Sequence, residues 1–159
     1  MNSKSIKTLW AICIGALVCV AIWMLFVCIQ SYYILTENSG DGVINWGAAG
    51  SGSQLTWFIL HRIVVISLAI IYVMFVVNIM KYIKTGSIFN KRNNTLFRIM
   101  AVLAPVYSFL DDNIYSLVLG SDVGLILSER PFASLFIILL VGQLYKVGYE
   151  AAEEQRLTI

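Results

Sequence analysis

Charge is scarce in this chain. Asp, Glu, Lys and Arg make up only 13% of its 159 residues, about half the share of a soluble domain. Most of its surface must therefore face something other than water. The net charge of +2 is too small to suggest direct nucleic-acid binding. Histidine is reduced to His61, with no cysteine near it, which excludes a clustered His/Cys metal site. The three cysteines, Cys13, Cys19 and Cys28, lie in one apolar run. Without a C-x-x-C or a partner elsewhere they exclude a disulfide framework and read as small, polarizable packing residues. Gly-rich phosphate loops, H-E-x-x-H and G-x-S-x-G are missing too. The expectation is a non-enzymatic protein with no cofactor and no metal.

What is present is hydrophobic sequence, 59% of the chain. Thr8 to Thr36 is 29 uncharged residues, longer than the roughly 20 that cross a hydrocarbon core of about 30 Å. Lys4 and Lys7 precede it as they would in a secretory signal, but the run exceeds an h-region and more apolar segments follow, so it reads as a retained helix. Trp10 at one end and Tyr32 and Tyr33 at the other suit the two membrane interfaces. Thr36 to Gln54 holds five glycines and two acids, loop chemistry too Gly-rich for a helix of its own; Trp46 within it suits the lipid headgroups. The expected spans are about 9–35, 55–80, 96–119 and 131–149. Gly86 would close the second, and Gly120 to Arg130 would connect the third to the fourth, with a short interfacial turn at Val123–Leu127. Pro105 should kink the third near Ala101, and Pro131 suits the first turn of the fourth. The fold expected is all-α: one integral membrane four-helix bundle covering residues 1–159.

Basic residues set the expected threading. Lys4, Lys7, Lys81, Lys84, Lys91, Arg92, Arg98, Lys146 and Arg156 fall on one side of a four-span chain, and only Arg62 and Arg130 on the other. Cytoplasmic loops collect Lys and Arg, so both termini are expected in the cytoplasm.

Depth singles out one constellation. Asp111 follows Arg98 by 13 residues, about 20 Å of helix, which leaves it below the outer interface of an upright span. A lone Asp at a helix centre costs about 3 kcal/mol, so Asp111, Asp112 and Asn113 should not face lipid. Arg62 precedes Lys81 by 19 residues, about 28 Å, which puts it at the outer rim. With the second and third spans antiparallel, His61, Arg62, Tyr107, Asp111 and Asp112 would form a polar cluster lining an outward crevice, a site for a cation, proton or small polar ligand. In the bland alternative the third span ends near Leu110 and the acids lie at the surface, merely fixing helix orientation. Gly15 and Gly142 are the candidates for close helix packing. The basic loop is most simply a topology signal touching anionic lipid.

Two stretches carry a family resemblance. Gly86-Ser87-Ile88-Phe89-Asn90, with Asn93, Asn94, Leu96 and Arg98 after it, resembles a "G-x-x-F … N … L-R" loop. The ending Lys146-Val147-Gly148-Tyr149-Glu150-Ala151-Ala152-Glu153-Glu154-Gln155-Arg156-Leu157-Thr158-Ile159 resembles "F-K-x-G-Y-E-L-Q-E-E-N-D-L-T-I". Together they resemble the DUF2975 family of small bacterial four-helix membrane proteins. Ala151 stands where that family has Leu, and Gln155-Arg156 where it has Asn-Asp. The resemblance implies a bacterial cytoplasmic membrane and a small helix-turn-helix regulator as partner. It implies no catalytic residue.

The physical reading beside it has Phe89 anchoring the loop on the membrane and Asn93 and Asn94 capping the third span. The tail would extend the fourth span, with Glu150, Glu153 and Glu154 near Lys91 and Arg92 as a latch; the alternative is a solvated tail. The function expected is a small membrane regulator or sensor that presents its cytoplasmic loop and tail to a soluble partner. The alternative is a transporter, channel subunit or immunity-type protein that uses the outer polar cluster. Four helices are few for a conducting path, so the alternative would need a homo-oligomer.

Overall fold

A computed structural model describes residues 3–36, 51–83, 89–114, 126 and 128–157 of the chain. Among the described residues the architecture is all-helical: α1 (Ser3–Thr36), α2 (Ser51–Tyr82), α3 (Lys91–Asp112) and α4 (Arg130–Leu157).

Three of these helices are long and apolar enough to cross a membrane, over Ser5–Leu35, Gly52–Tyr82 and Arg130–Ala151. The protein is a multi-pass membrane protein on that composition. In lipid every backbone polar group must be paired within the segment, and a helix does this. Its surface agrees: Phe132, Phe136 and Leu144 on α4 and Leu25 and Phe26 on α1 stand exposed, which a hydrocarbon solvent tolerates and water would not.

α3 is different. It carries Lys91, Arg92 and Arg98 toward its start and Asp111 and Asp112 at its end, and it does not belong to the strongly apolar set. It packs against both α2 and α4, while α1 packs on α2. Successive helices run antiparallel. Gln30 of α1 meets Arg62 of α2, Asn78 of α2 meets Asn93 of α3, and Phe97 of α3 lies beside Gly142 of α4. The contacts α3 makes near its two ends, Asn93 and Asp111, are 18 residues apart, about 27 Å by the helical rise. Those of α2, His61 and Asn78, are 17 apart, about 25 Å. The two helices therefore run side by side over nearly the thickness of a hydrocarbon core.

Boundaries differ from the sequence expectation where side chains, not hydropathy, set them. α2 begins at Ser51 rather than residue 55, so Ser51 and Gly52 belong to a helix and not to the Gly-rich loop; the Thr56 hydroxyl bonds the Gly52 carbonyl at 2.8 Å. α2 ends at Tyr82, before Gly86. α3 begins at Lys91, five residues early, because Asn90 caps it. The Asn90 Oδ1 accepts from the Asn93 N–H at 2.9 Å, the usual N-cap bond. Asn93 and Asn94 are inside the helix and not its cap. α3 is unbroken through Pro105 and ends at Asp112, short of the expected residue 119. α4 begins at Arg130 and continues past Tyr149 to Leu157, so the tail is helical through the described residues. Trp46, Gly86, Gly120 and the turn at Val123–Leu127 lie wholly or largely outside the described residues.

Asn113 ends α3 and is fully buried. Its Nδ2 donates to the carbonyls of Phe109 and Ile126, both at 2.9 Å, and its Oδ1 accepts from the Ile126 N–H at 2.6 Å. One amide thus pairs with both backbone groups of Ile126 and pins the approach to α4. Asn113→Ala should destabilise the protein by about 1–3 kcal/mol through the stranded backbone groups, read as an earlier thermal unfolding transition in detergent. A transition unchanged from the parent would refute this role.

Candidate functional site

α1, α2 and α3 enclose a half-open pocket of about 380 Å³. Arg62 and His61 lie on its α2 wall, Tyr107 and Asp111 on α3, and Gln30 and Trp23 on α1. His61 is 2% exposed and Arg62 9%. Tyr107 precedes Asp111 by one helical turn, so both present to the same side of α3. Its ring lies 5.9 Å from His61 and edge-on to Trp23 at 5.8 Å.

The electrostatics of the pocket are unbalanced. The Arg62 Nη2 donates to the Gln30 Oε1 at 2.9 Å, and its guanidinium lies 4.9 Å from the centre of the Phe58 ring. Its Nε and Nη1 are buried without a hydrogen-bond partner among protein atoms, and so are both ring nitrogens of His61. His61 Nε2 is 3.5 Å from Asp111 Oδ1, within ion-pair reach but too long for a good hydrogen bond. Asp111 itself is nearly half exposed. Buried donors without partners are expensive, and here they converge on one cavity.

Asp112 does not join this pocket. Its Oδ1 accepts from the Arg130 Nη1 at 3.1 Å, and its Oδ2 accepts from the Ser128 hydroxyl. Consecutive helical residues point about 100° apart, so Asp111 turns toward α2 while Asp112 turns toward α4. The expected five-residue cluster is therefore four residues in the pocket, with Asp112 serving as a strap between α3 and α4.

The opposite end of the helices holds a second polar group. Asn78 donates to the side-chain oxygens of Asn93 and, at 3.3 Å, Asn90, and Tyr145 of α4 reaches both Asn93 and Asn90. Phe89 packs its ring 5.0 Å from Tyr145 and against Gly148, where a Cβ would meet the ring at 2.8 Å. Phe89 therefore anchors on the α4 tail helix. Lys91, Arg92, Glu150, Glu153 and Glu154 are exposed around this junction. Glu150 pairs with Lys146 one turn back on its own helix, at 3.6 Å. Gly142 sits similarly against Phe97 at 3.2 Å, whereas Gly15 has open space around it and makes no close helix contact.

Sequence reasoning missed Trp23, Gln30 and Asn78. Gln30 and Asn78 each carried a signal: a lone amide within an apolar run is costly in lipid and must find a partner. Trp23 carried none. The cysteines are unpaired, Cys13 buried and Cys19 and Cys28 exposed. Among the described residues no three His, Cys, Asp or Glu side chains gather to hold a metal. No protein-family model, curated protein or solved structure matches the chain.

The two acids should separate by stability. Asp112→Ala removes the strap and should lower the unfolding midpoint clearly, by about 1–3 kcal/mol, whereas Asp111→Ala should leave it nearly unchanged. Equal losses would contradict the assignment. At the other end, Gly148→Leu should destabilise by about 1–3 kcal/mol through overpacking, and adding Phe89→Ala should recover part of that loss in a double-mutant cycle. Purely additive effects would mean that Phe89 and Gly148 do not press on one another.

Proposed function

We propose that the protein is a non-enzymatic membrane regulator or sensor, threaded four times with both termini in the cytoplasm, that presents its cytoplasmic loop at Phe89, Lys91 and Arg92 and its α4 tail to a soluble partner. The observation that carries this reading is the seat of Phe89 on Gly148 and Tyr145. It joins the loop to the tail helix, so that Lys91, Arg92, Glu150, Glu153 and Glu154 form one mixed-charge surface around an aromatic centre. Such a surface suits polar recognition with an aromatic anchor. It lies at the end where Lys81, Lys91, Arg92 and Arg98 collect, the cytoplasmic end by the distribution of positive charge.

The stretches that meet there are the two that resemble the DUF2975 family. On that resemblance the membrane is the bacterial cytoplasmic membrane, and the partner is a small helix-turn-helix regulator. DNA contact belongs to that partner and not to this chain. The polar pocket at the other end supports a second reading, in which a transporter, channel subunit or immunity-type protein uses His61, Arg62 and Asp111.

Co-expression with a small helix-turn-helix regulator of the kind that resemblance implies tests the first reading. The full chain should hold that protein at the membrane, and deletion of residues 150–159 should release it to the soluble fraction. Retention by the truncated chain, together with solute flux that depends on Asp111 in reconstituted vesicles, would favour the second reading instead.

A further inference from the structure

The polar pocket has a neighbour. Trp23 also lines a second open cavity of about 330 Å³, whose other walls are Ala16, Cys19, Val20, Leu68, Tyr72 and Met100. The two cavities therefore adjoin across one indole. The first offers buried charged donors, and the second is almost wholly apolar. Gln30 at the polar end and Ala16 in the groove are 14 residues apart on α1, about 21 Å along the helix. α1 carries exposed Phe26 and Ile29 beside the pocket, so the cleft opens toward the bilayer rather than into a sealed core.

We propose that these two adjoining cavities together bind one membrane lipid, its headgroup phosphate on Arg62 and one acyl chain in the groove below Trp23. The charge of the ligand follows from the unpaired atoms. The Nε and Nη1 of Arg62 are donors only and are buried without partners. They require an acceptor with negative charge, which a phosphate oxygen supplies with matching geometry. A cation, the ligand class suggested by the acidic residues alone, would meet the guanidinium; the lone carboxylate on the pocket wall, Asp111, lies beside His61 and is half solvated. Depth agrees. Arg62 and Lys81 lie 19 residues apart on α2, about 28 Å by the helical rise, so with Lys81 at one edge of the roughly 30 Å hydrocarbon core Arg62 lies at the other edge, just beneath the headgroups of that leaflet. A small free anion would satisfy Arg62 but leave the apolar groove without a role. This inference does not depend on the cytoplasmic partner proposed above.

The test uses the purified full chain in a neutral detergent. Phosphatidylglycerol is the probe, and diacylglycerol with the same chains and inorganic phosphate are the controls. Native mass spectrometry and thermal melting read binding. Phosphatidylglycerol should bind at least about tenfold more tightly than either control, a difference worth about 1.4 kcal/mol. Arg62→Met should erase that advantage over diacylglycerol. Leu68→Trp, which fills the groove and leaves Arg62 intact, should weaken phosphatidylglycerol about tenfold and serves if the Arg62 variant does not fold. Equal binding of diacylglycerol would overturn the phosphate contact. Equal binding of inorganic phosphate would reduce the site to one for a soluble anion. Unchanged phosphatidylglycerol affinity in Leu68→Trp would remove the acyl chain from the groove.

Discussion

The structure depends on how the polar side chains of α3 are covered. That helix carries five charged residues and buries Asn93, with Asn113 buried at its C-cap. Facing lipid, those groups would cost several kcal/mol. Packed against α2 on one side and α4 on the other, the buried ones find partners: Asn78 and Tyr145 for Asn93, Ile126 for Asn113, and Arg130 and Ser128 for Asp112, while Asp111 lies half solvated beside His61. Lipid offers no hydrophobic drive for helices to associate, so packing and interhelical hydrogen bonds must supply it. α1, uniformly apolar, needs less cover and has less: it packs on α2 and leaves most of its surface outward.

The two polar layers do different things. At the basic end the amides are satisfied, and the aromatic rings of Phe75, Phe89, Phe97 and Tyr145 pack around them. That layer is a joint, which holds the loop, α3 and the tail helix in one register. At the other end, donors on His61 and Arg62 remain buried without partners. Folding alone would favour apolar side chains there, since a buried ion without full compensation weakens a fold. The two ends thus differ in kind: a satisfied joint at one, and a pocket of unpaired donors at the other.

Much of this was legible in the sequence, for reasons that can be stated residue by residue. Thr8–Thr36 and Ile63–Met80 declare themselves because a hydrocarbon solvent leaves little freedom in composition. The gathering of His61, Arg62 and Asp111 at one pocket followed from helical rise and an antiparallel hairpin, but the expected Arg62–Asp111 pair did not: Arg62 bonds Gln30, and His61 is the residue within ion-pair reach of Asp111. What was hidden depends on rotation about the helix axis or on a partner far along the chain. Asp111 and Asp112 part ways by helical phase. Asn90 caps α3 only because Lys91–Asn94, which read as a polar connection, are helical, with Asn93 covered by Asn78. Trp23 gives no signal in a helix that is apolar all round. Gly148 and Phe89 each stood out in the sequence, but their contact across 59 positions did not.

The proposed four-span threading requires α3 to cross the bilayer despite its charge, with α2 and α4 packed against it. Single cysteines placed at Lys91 and Arg130, with Cys13, Cys19 and Cys28 replaced by alanine, can be labelled in sealed vesicles with an impermeant maleimide. The account predicts that Lys91 labels from the side that bears the amino terminus and Arg130 from the opposite side. Labelling of both positions from one side would mean that α3 does not cross, and the account would fall with it.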